Sequence, residues 1–231
     1  MNWAEKCDED LDSLCNESAG WDVYEGYTRI WTPEGHSFRR AQMNRFFVPN
    51  RRDCWAYVQA RSPIDVKQAI WEHEQDELIE DPRIGMSHVA LIDYGQEVQP
   101  LPGVETACWA WLYIAAHSPW LEALAASHIL ERANDPTVLK GKTGSQVDAE
   151  ELMKRLQTDR VEDLPVEARA HLTADTDHSN LVWGVMARYI TDETAYNQVM
   201  QGARASRRIF HTLRQAIALA EMDLQRELAS V

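Results

Sequence analysis

Glycine is scarce in this chain, at 10 of 231 residues, and no alternating apolar and polar runs are separated by turn pairs. That argues against a sheet protein and leaves helices to bury the apolar residues. Cysteine is thin as well. Cys7, Cys15, Cys54 and Cys108 form no CxxC pair and no dense framework, which reads as reduced thiols in a cytoplasmic protein rather than a disulfide scaffold. A run of about 18 apolar residues, the length needed to cross a bilayer, is missing. The most apolar stretch, Val104 to Ala116, is too short and too rich in tryptophan. The first residues, Met1 to Leu14, are acidic and lack the apolar core of a secretory signal. Basic charge is in deficit: 23 Lys and Arg stand against 37 Asp and Glu, a net charge of −14. Nucleic acid and anionic membranes both attract basic surfaces, so neither is expected as a partner. Walker A, GxGxxG, GxSxG and HExxH motifs are also lacking. No ExxH pair occurs, which argues against a ferritin-like diiron bundle.

What is present points to one all-α domain over residues 1–231, with residues 1–30 as an arm or a first short helix. Hydrophobic residues at 45% and charged residues at 26% suit a globular protein with a full core. Ser37 to Arg61 reads as a helix disturbed at Pro49. Ser62-Pro63 is the expected cap and first residue of a helix through Val66, Ile70, Trp71 and Leu78, which Asp81-Pro82 and Gly85 interrupt. Val104 to His117 reads as a buried helix, and Ser118-Pro119 opens another to about Asn134. Gln146 to Thr158 is amphipathic, Val166 to Ile190 is long, and a last helix runs from Thr191-Asp192 to about Leu228. A compact bundle of about seven to nine helices follows.

The segment His171-Leu-Thr-Ala-Asp175-Thr-Asp-His178 is the most informative. On a helix its two imidazoles and one carboxylate, at i, i+4 and i+7, share a face. Such a set either faces water or converges on iron, manganese or zinc. Ligands in a bundle come from several helices, so other polar groups on apolar faces matter. Glu131 follows Leu121, Leu124, His128 and Ile129; it is costly there unless paired, for instance with Arg132, or bound to metal. His88 stands in the apolar stretch GMSHVALIDYG, as a core histidine or a ligand. Glu72-His73-Glu74-Gln75-Asp76-Glu77 is either a solvated face or a source of carboxylate ligands. Arg39, Arg40, Arg45, Arg51 and Arg52 form a basic cluster ahead of these residues; most suit a surface helix, and one is a candidate for a substrate carboxylate. Nine tryptophans, Trp55, Trp111 and Trp183 among them, suit core filling more than an aromatic cage.

The order acid-rich helix, His88, Glu131, then His171-x3-Asp175-x2-His178 resembles the heme-oxygenase-like diiron oxidases and oxygenases. This superfamily shares its helical fold with heme oxygenase, thiaminase II and the cofactorless pyrroloquinoline-quinone synthase. The resemblance spans about residues 60–190. It implies a metal site of Glu77, His88, Glu131, His171, Asp175 and His178, with Glu74, Glu80 and Asp81 competing for the place of Glu77. It implies two Fe, with O2 as co-substrate. The activity implied is a non-heme diiron oxidase or oxygenase that N-oxygenates, or oxidatively cleaves a C–C bond in, a small amine or amino acid. A diiron fatty-acid decarboxylase and a cofactorless oxidase of the quinone-synthase type are the alternatives. The partners implied are a small-molecule substrate, O2, an electron donor and, as an assembly open to this fold, a homodimer.

Overall fold

The structure, a computed structural model, describes residues 2–21 and 32–230. Regular structure among these residues is helical apart from an isolated antiparallel bridge between Asp81 and Met86. The helices are α1 (Trp3–Ala19), α2 (Pro33–Gln42), α3 (Val48–Arg61), α4 (Ile64–Leu78), α5 (Pro102–His117), α6 (Trp120–Arg132), α7 (Gly144–Leu156), α8 (Val166–Met186) and α9 (Glu193–Ala229). None is long and apolar enough to cross a membrane.

Local chemistry explains most of the boundaries. Asn2 caps α1 by accepting from the Ala4 and Glu5 amides. Thr143 and Gln146 form a reciprocal capping box at the start of α7. Asp192 accepts from the Ala195 amide at the head of α9. Ser62, expected as a cap for α4, instead closes α3: its hydroxyl donates to the Val58 carbonyl, and Pro63 precedes α4 without a side-chain cap. The disturbance expected at Pro49 is a π-helical segment, Met43–Phe47, joining α2 to α3. The proline then falls in the first turn of α3, where its missing N–H is tolerated. Of the arm or first short helix expected over residues 1–30, the structure has the helix: α1 spans 3–19, and its Cys7, Leu11, Leu14 and Cys15 enter the core. Residues 22–30 of that segment lie outside the described residues.

Helix α6 is the axis of the bundle. Eleven of its 13 residues are buried, as expected for a helix enclosed all round, and α1, α3, α5, α8 and α9 pack against it. The crossing with α9 is close: a Cβ on Gly202 would stand 2.0 Å from the Glu122 carbonyl oxygen, so only glycine fits. Helix α5 differs from the buried helix expected. Val104, Ala107, Trp111 and Ala115 face inward, while Trp109 and Tyr113 are 65% and 67% exposed. It packs on α9, α3 and α6 by one side only. Helix α3 packs on α4 and α6, and α8 packs on the same two helices; His73, Glu77, Glu131 and His178 lie where they meet.

Candidate metal centre

Helix α4 supplies His73 and Glu77 one turn apart, on the inward stripe that Val66, Ala69 and Ile70 begin. Beyond its end the chain reverses tightly. The Asp81 amide donates to the Met86 carbonyl (2.9 Å), Gly85 takes a left-handed φ of 70°, and Asp81 Oδ1 accepts from the Arg83 amide (2.8 Å). The turn returns His88 to the flank of α4, where its amide donates to the Asp76 carbonyl (3.2 Å). His88 Nδ1 then stands 3.2 Å from Glu77 Oε1 and Nε2 stands 2.8 Å from Asp81 Oδ2. Arg83 ties this turn to Asp76 and to Asp81, at 2.7 and 2.8 Å. Helix α6 contributes Glu131, whose Oε1 is 2.5 Å from Arg51 Nη2 and 3.7 Å from His73 Nε2. Helix α8 contributes His178, with Nδ1 3.8 Å from Glu77 Oε1 and Nε2 3.2 Å from Asp76 Oδ2. The His178 ring centroid is 4.5 Å from that of His73 and 5.8 Å from that of His88. One ligand atom each from His73, Glu131 and His178 lies within 4.8 Å of the others.

Burial makes the charges in this cluster interdependent. His73 is enclosed under Trp55, ring centroids 5.0 Å apart. Burial opposes its protonation, but the carboxylates of Glu131 and Glu74 outweigh that and raise it to about 9. Burial likewise opposes ionisation of Glu131, yet His73 and Arg51 hold its carboxyl well below the usual range. Glu77 is lowered too: Arg52, His88 and His73 overcome its desolvation. His88 is raised by Glu77 and Asp81 against burial, whereas His178 is lowered by burial and by the neighbouring His73. Arg52 Nη1 bridges Glu74 Oε1 (2.9 Å) and Glu77 Oε2 (3.1 Å).

Two features fit a bound divalent ion. His73 Nδ1 is 2.9 Å from Glu74 Oε1, which fixes that nitrogen as the donor, and Nε2 is buried with no hydrogen-bond partner. An imidazole held by a carboxylate on one nitrogen and without a hydrogen bond on the other is the arrangement of a metal-ligating histidine. Imidazoles, once they give up a proton to an ion, and carboxylates form a donor set that also suits iron, manganese or zinc. The thiols do not compete: Cys7 and Cys15 are pushed up to about 12, and Cys54 and Cys108 to about 11, by burial. Such thiols are poor nucleophiles and poor ligands.

Of the residues expected in the site, Glu77, His88, Glu131 and His178 come together here. The side chains of His171 and Asp175 lie outside the described residues. Of the competitors of Glu77, Glu74 bonds His73 and Arg52, Asp81 holds His88 from behind, and Glu80 is exposed. Glu131 pairs with Arg51, not with the adjacent Arg132, because successive helical residues point about 100° apart. Arg132 reaches Asp8 and Asp12 on α1 instead. The basic cluster is not a plain surface face: Arg51 is buried and Arg52 largely so. His73 was missed because it sits inside an acidic run that looks solvated. Glu72 and Gln75 are exposed as that reading requires, but His73 continues the buried spacing of Val66, Ala69 and Ile70. A cavity of about 360 Å³ opens beside the cluster, bounded by Glu77, His88, Glu131 and His178 and roofed by Phe47 and Phe210; no tryptophan is among its described lining residues.

No protein-family profile and no curated protein matches this chain. Among solved structures it is similar to a CADD-like protein of unknown function from Nostoc punctiforme PCC 73102, 13% identical, with a TM-score of 0.70 over 95% of this chain and 98% of that one. At that identity the likeness shows the fold: an all-α helical bundle shared along nearly the whole length of both chains.

Proposed function

We propose that this cluster is a non-heme diiron centre and that the protein is an O2-activating oxidase or oxygenase acting on a small amine or amino acid. The observation that carries the reading is the meeting of His73, Glu131 and His178 ligand atoms around a buried Nε2 with no hydrogen-bond partner. Glu77, His88, Glu131, His171, Asp175 and His178 are the proposed ligands, with His73 added through Nε2. Bound ferrous iron would supply the electrons that reduce O2. The chain's own residues have separate tasks. Glu74 and Asp81 orient the His73 and His88 rings. Arg51 and Arg52 neutralise Glu131, Glu74 and Glu77 while no metal is held. Trp55 shields His73 from solvent. The resemblance to the heme-oxygenase-like diiron proteins and the likeness to the CADD-like bundle point the same way. A cavity of about 360 Å³ has room for a small metabolite. An electron donor and a homodimer belong to this proposal.

The ion pairs favour a second reading. Since arginines already balance the carboxylates, a cofactorless enzyme of the same fold would need no metal for charge balance. Anaerobic loading with Fe(II), iron counting, and absorbance on mixing with O2 separate the two. About two irons per chain and a transient visible band are expected, with iron lost in His178→Ala. A wild-type protein that takes up no iron and gives no band would leave the cofactorless reading.

A further inference from the structure

We infer that the cavity receives a carboxylate-bearing substrate and that Arg52 is the residue that grips the carboxylate. This rests on the reading of the cluster as the catalytic site. The two guanidinium groups next to the cluster differ. Arg51 is used on both terminal nitrogens: Nη1 donates to the Ser127 carbonyl (3.1 Å) and Nη2 to Glu131 (2.5 Å). Arg52 places both of its carboxylate contacts, Glu74 and Glu77, on Nη1. Its Nε–H is buried with no acceptor, and Nη2 makes no hydrogen bond among the described residues. The Nε–Nη2 edge, one of the two that match a carboxylate through parallel hydrogen bonds, therefore has no acceptor among the described residues. A buried N–H without an acceptor is costly, so an acceptor is expected when the site is at work.

The surroundings supply room. Arg52 lines the cavity with Glu77, His88, Glu131 and His178, so an anion on that edge lies beside the ligand cluster. Among the described residues six arginines and four carboxylates line this cavity; Arg39, Arg40 and Arg52 pair in turn with Glu221, Asp93 and Glu74, which are not among the lining residues. Metal binding would add positive charge here, because Glu77 and Glu131 would then share their charge with the ions. The ligand class is a small organic acid, α-amino acids included. A neutral amine would leave that edge without an acceptor.

The test compares benzoate with benzamide, which share a shape and differ in charge, by calorimetry on the full chain before and after anaerobic Fe(II) loading, iron being counted first. Benzoate is expected to bind tighter by about tenfold or more, with a larger ratio in the loaded protein. In Arg52→Gln the ratio should fall close to one, and Arg52→Lys, which keeps charge but not the fork, should fall between. If neither variant folds, the arginine Nε–H resonances of metal-free wild-type protein decide: one should move with benzoate and stay with benzamide. Equal affinities, no benzoate binding at millimolar concentration, or a preference unchanged in both variants would overturn the inference, the last because the anion then sits elsewhere. Two irons with no preference would overturn this inference alone. A preference without iron uptake would overturn only the diiron reading.

Discussion

Glu131 and Arg132 are neighbours at the end of α6, and they serve two sides of one helix that the fold uses differently. Glu131 turns inward, to Arg51, His73 and the cavity. Arg132 turns to α1, where Asp8 and Asp12 hold it at 2.6 and 2.5 Å with 44% and 45% of their side chains exposed. Each side also has a buried histidine. His73 on the inner side is ringed by carboxylates and raised to about 9. His128 stacks on Trp183, as the Arg132 guanidinium does, and is lowered to about 3 by burial and by that same arginine. Both rings carry buried nitrogens without hydrogen-bond partners. Burial of a histidine therefore does not mark a metal site. What separates His73 is the negative charge assembled around it, the condition a cation requires.

The largest break expected in this comparison is Glu131→Ala. It leaves the Arg51 guanidinium buried without its counter-charge, a loss of about 3–5 kcal/mol, together with loss of iron. Urea unfolding and iron counting on the same preparation check it, and an unfolding midpoint near wild type would show that the pair carries little.

Next in size are the opposite pH dependences of the two histidines. The unfolded chain protonates His128 near 6.5 and the folded chain only near 3, so the unfolded state binds more protons between these values. Its contribution to stability is full above 6.5 and is lost as pH falls toward 3, at about 1.4 kcal/mol per pH unit. Between pH 6.5 and 5, wild type should lose more stability than His128→Phe; parallel losses would refute the assignment. His73 runs the other way. Its folded value is the higher one, so its contribution is full below 6.5 and is lost as pH rises through about 9. Metal-free His73→Phe should lack that alkaline loss.

Arg132→Met should cost less, about 1 kcal/mol, because its partners are half in water and regain solvation. Iron content should stay at the wild-type value; a fall would show that the two sides of α6 are not separate. Smallest is Trp109→Ser on the exposed face of α5, expected within about 0.5 kcal/mol of wild type. A clearly larger loss by thermal melting would mean that this face is covered in solution.

Much of the fold was legible because helices announce themselves locally. Asp192 before α9, Pro119 before α6 and the apolar spacing of α4 and α6 need only neighbours within a few residues. The same locality misled at Ser62, where a capping residue before Pro63 suited the start of one helix and proved to close another. It misled again at Val104 to His117, where composition indicated burial but Trp109 and Tyr113 face outward. Periodicity says that a residue lies on a face, not what the face meets.

By itself the sequence determined an all-α chain, a net charge of −14 and a set of candidate acids and histidines on separate segments. Only the tertiary structure decided that His73 joins them, that Asp81 stands behind His88, that Arg51 and not Arg132 faces Glu131, and that Arg52 lines a cavity with its Nε–H lacking an acceptor. The reason is range. Helix signals act over about four residues, whereas these contacts join residues up to 105 positions apart, as between His73 and His178, and exist only once α3, α4, α6 and α8 have packed.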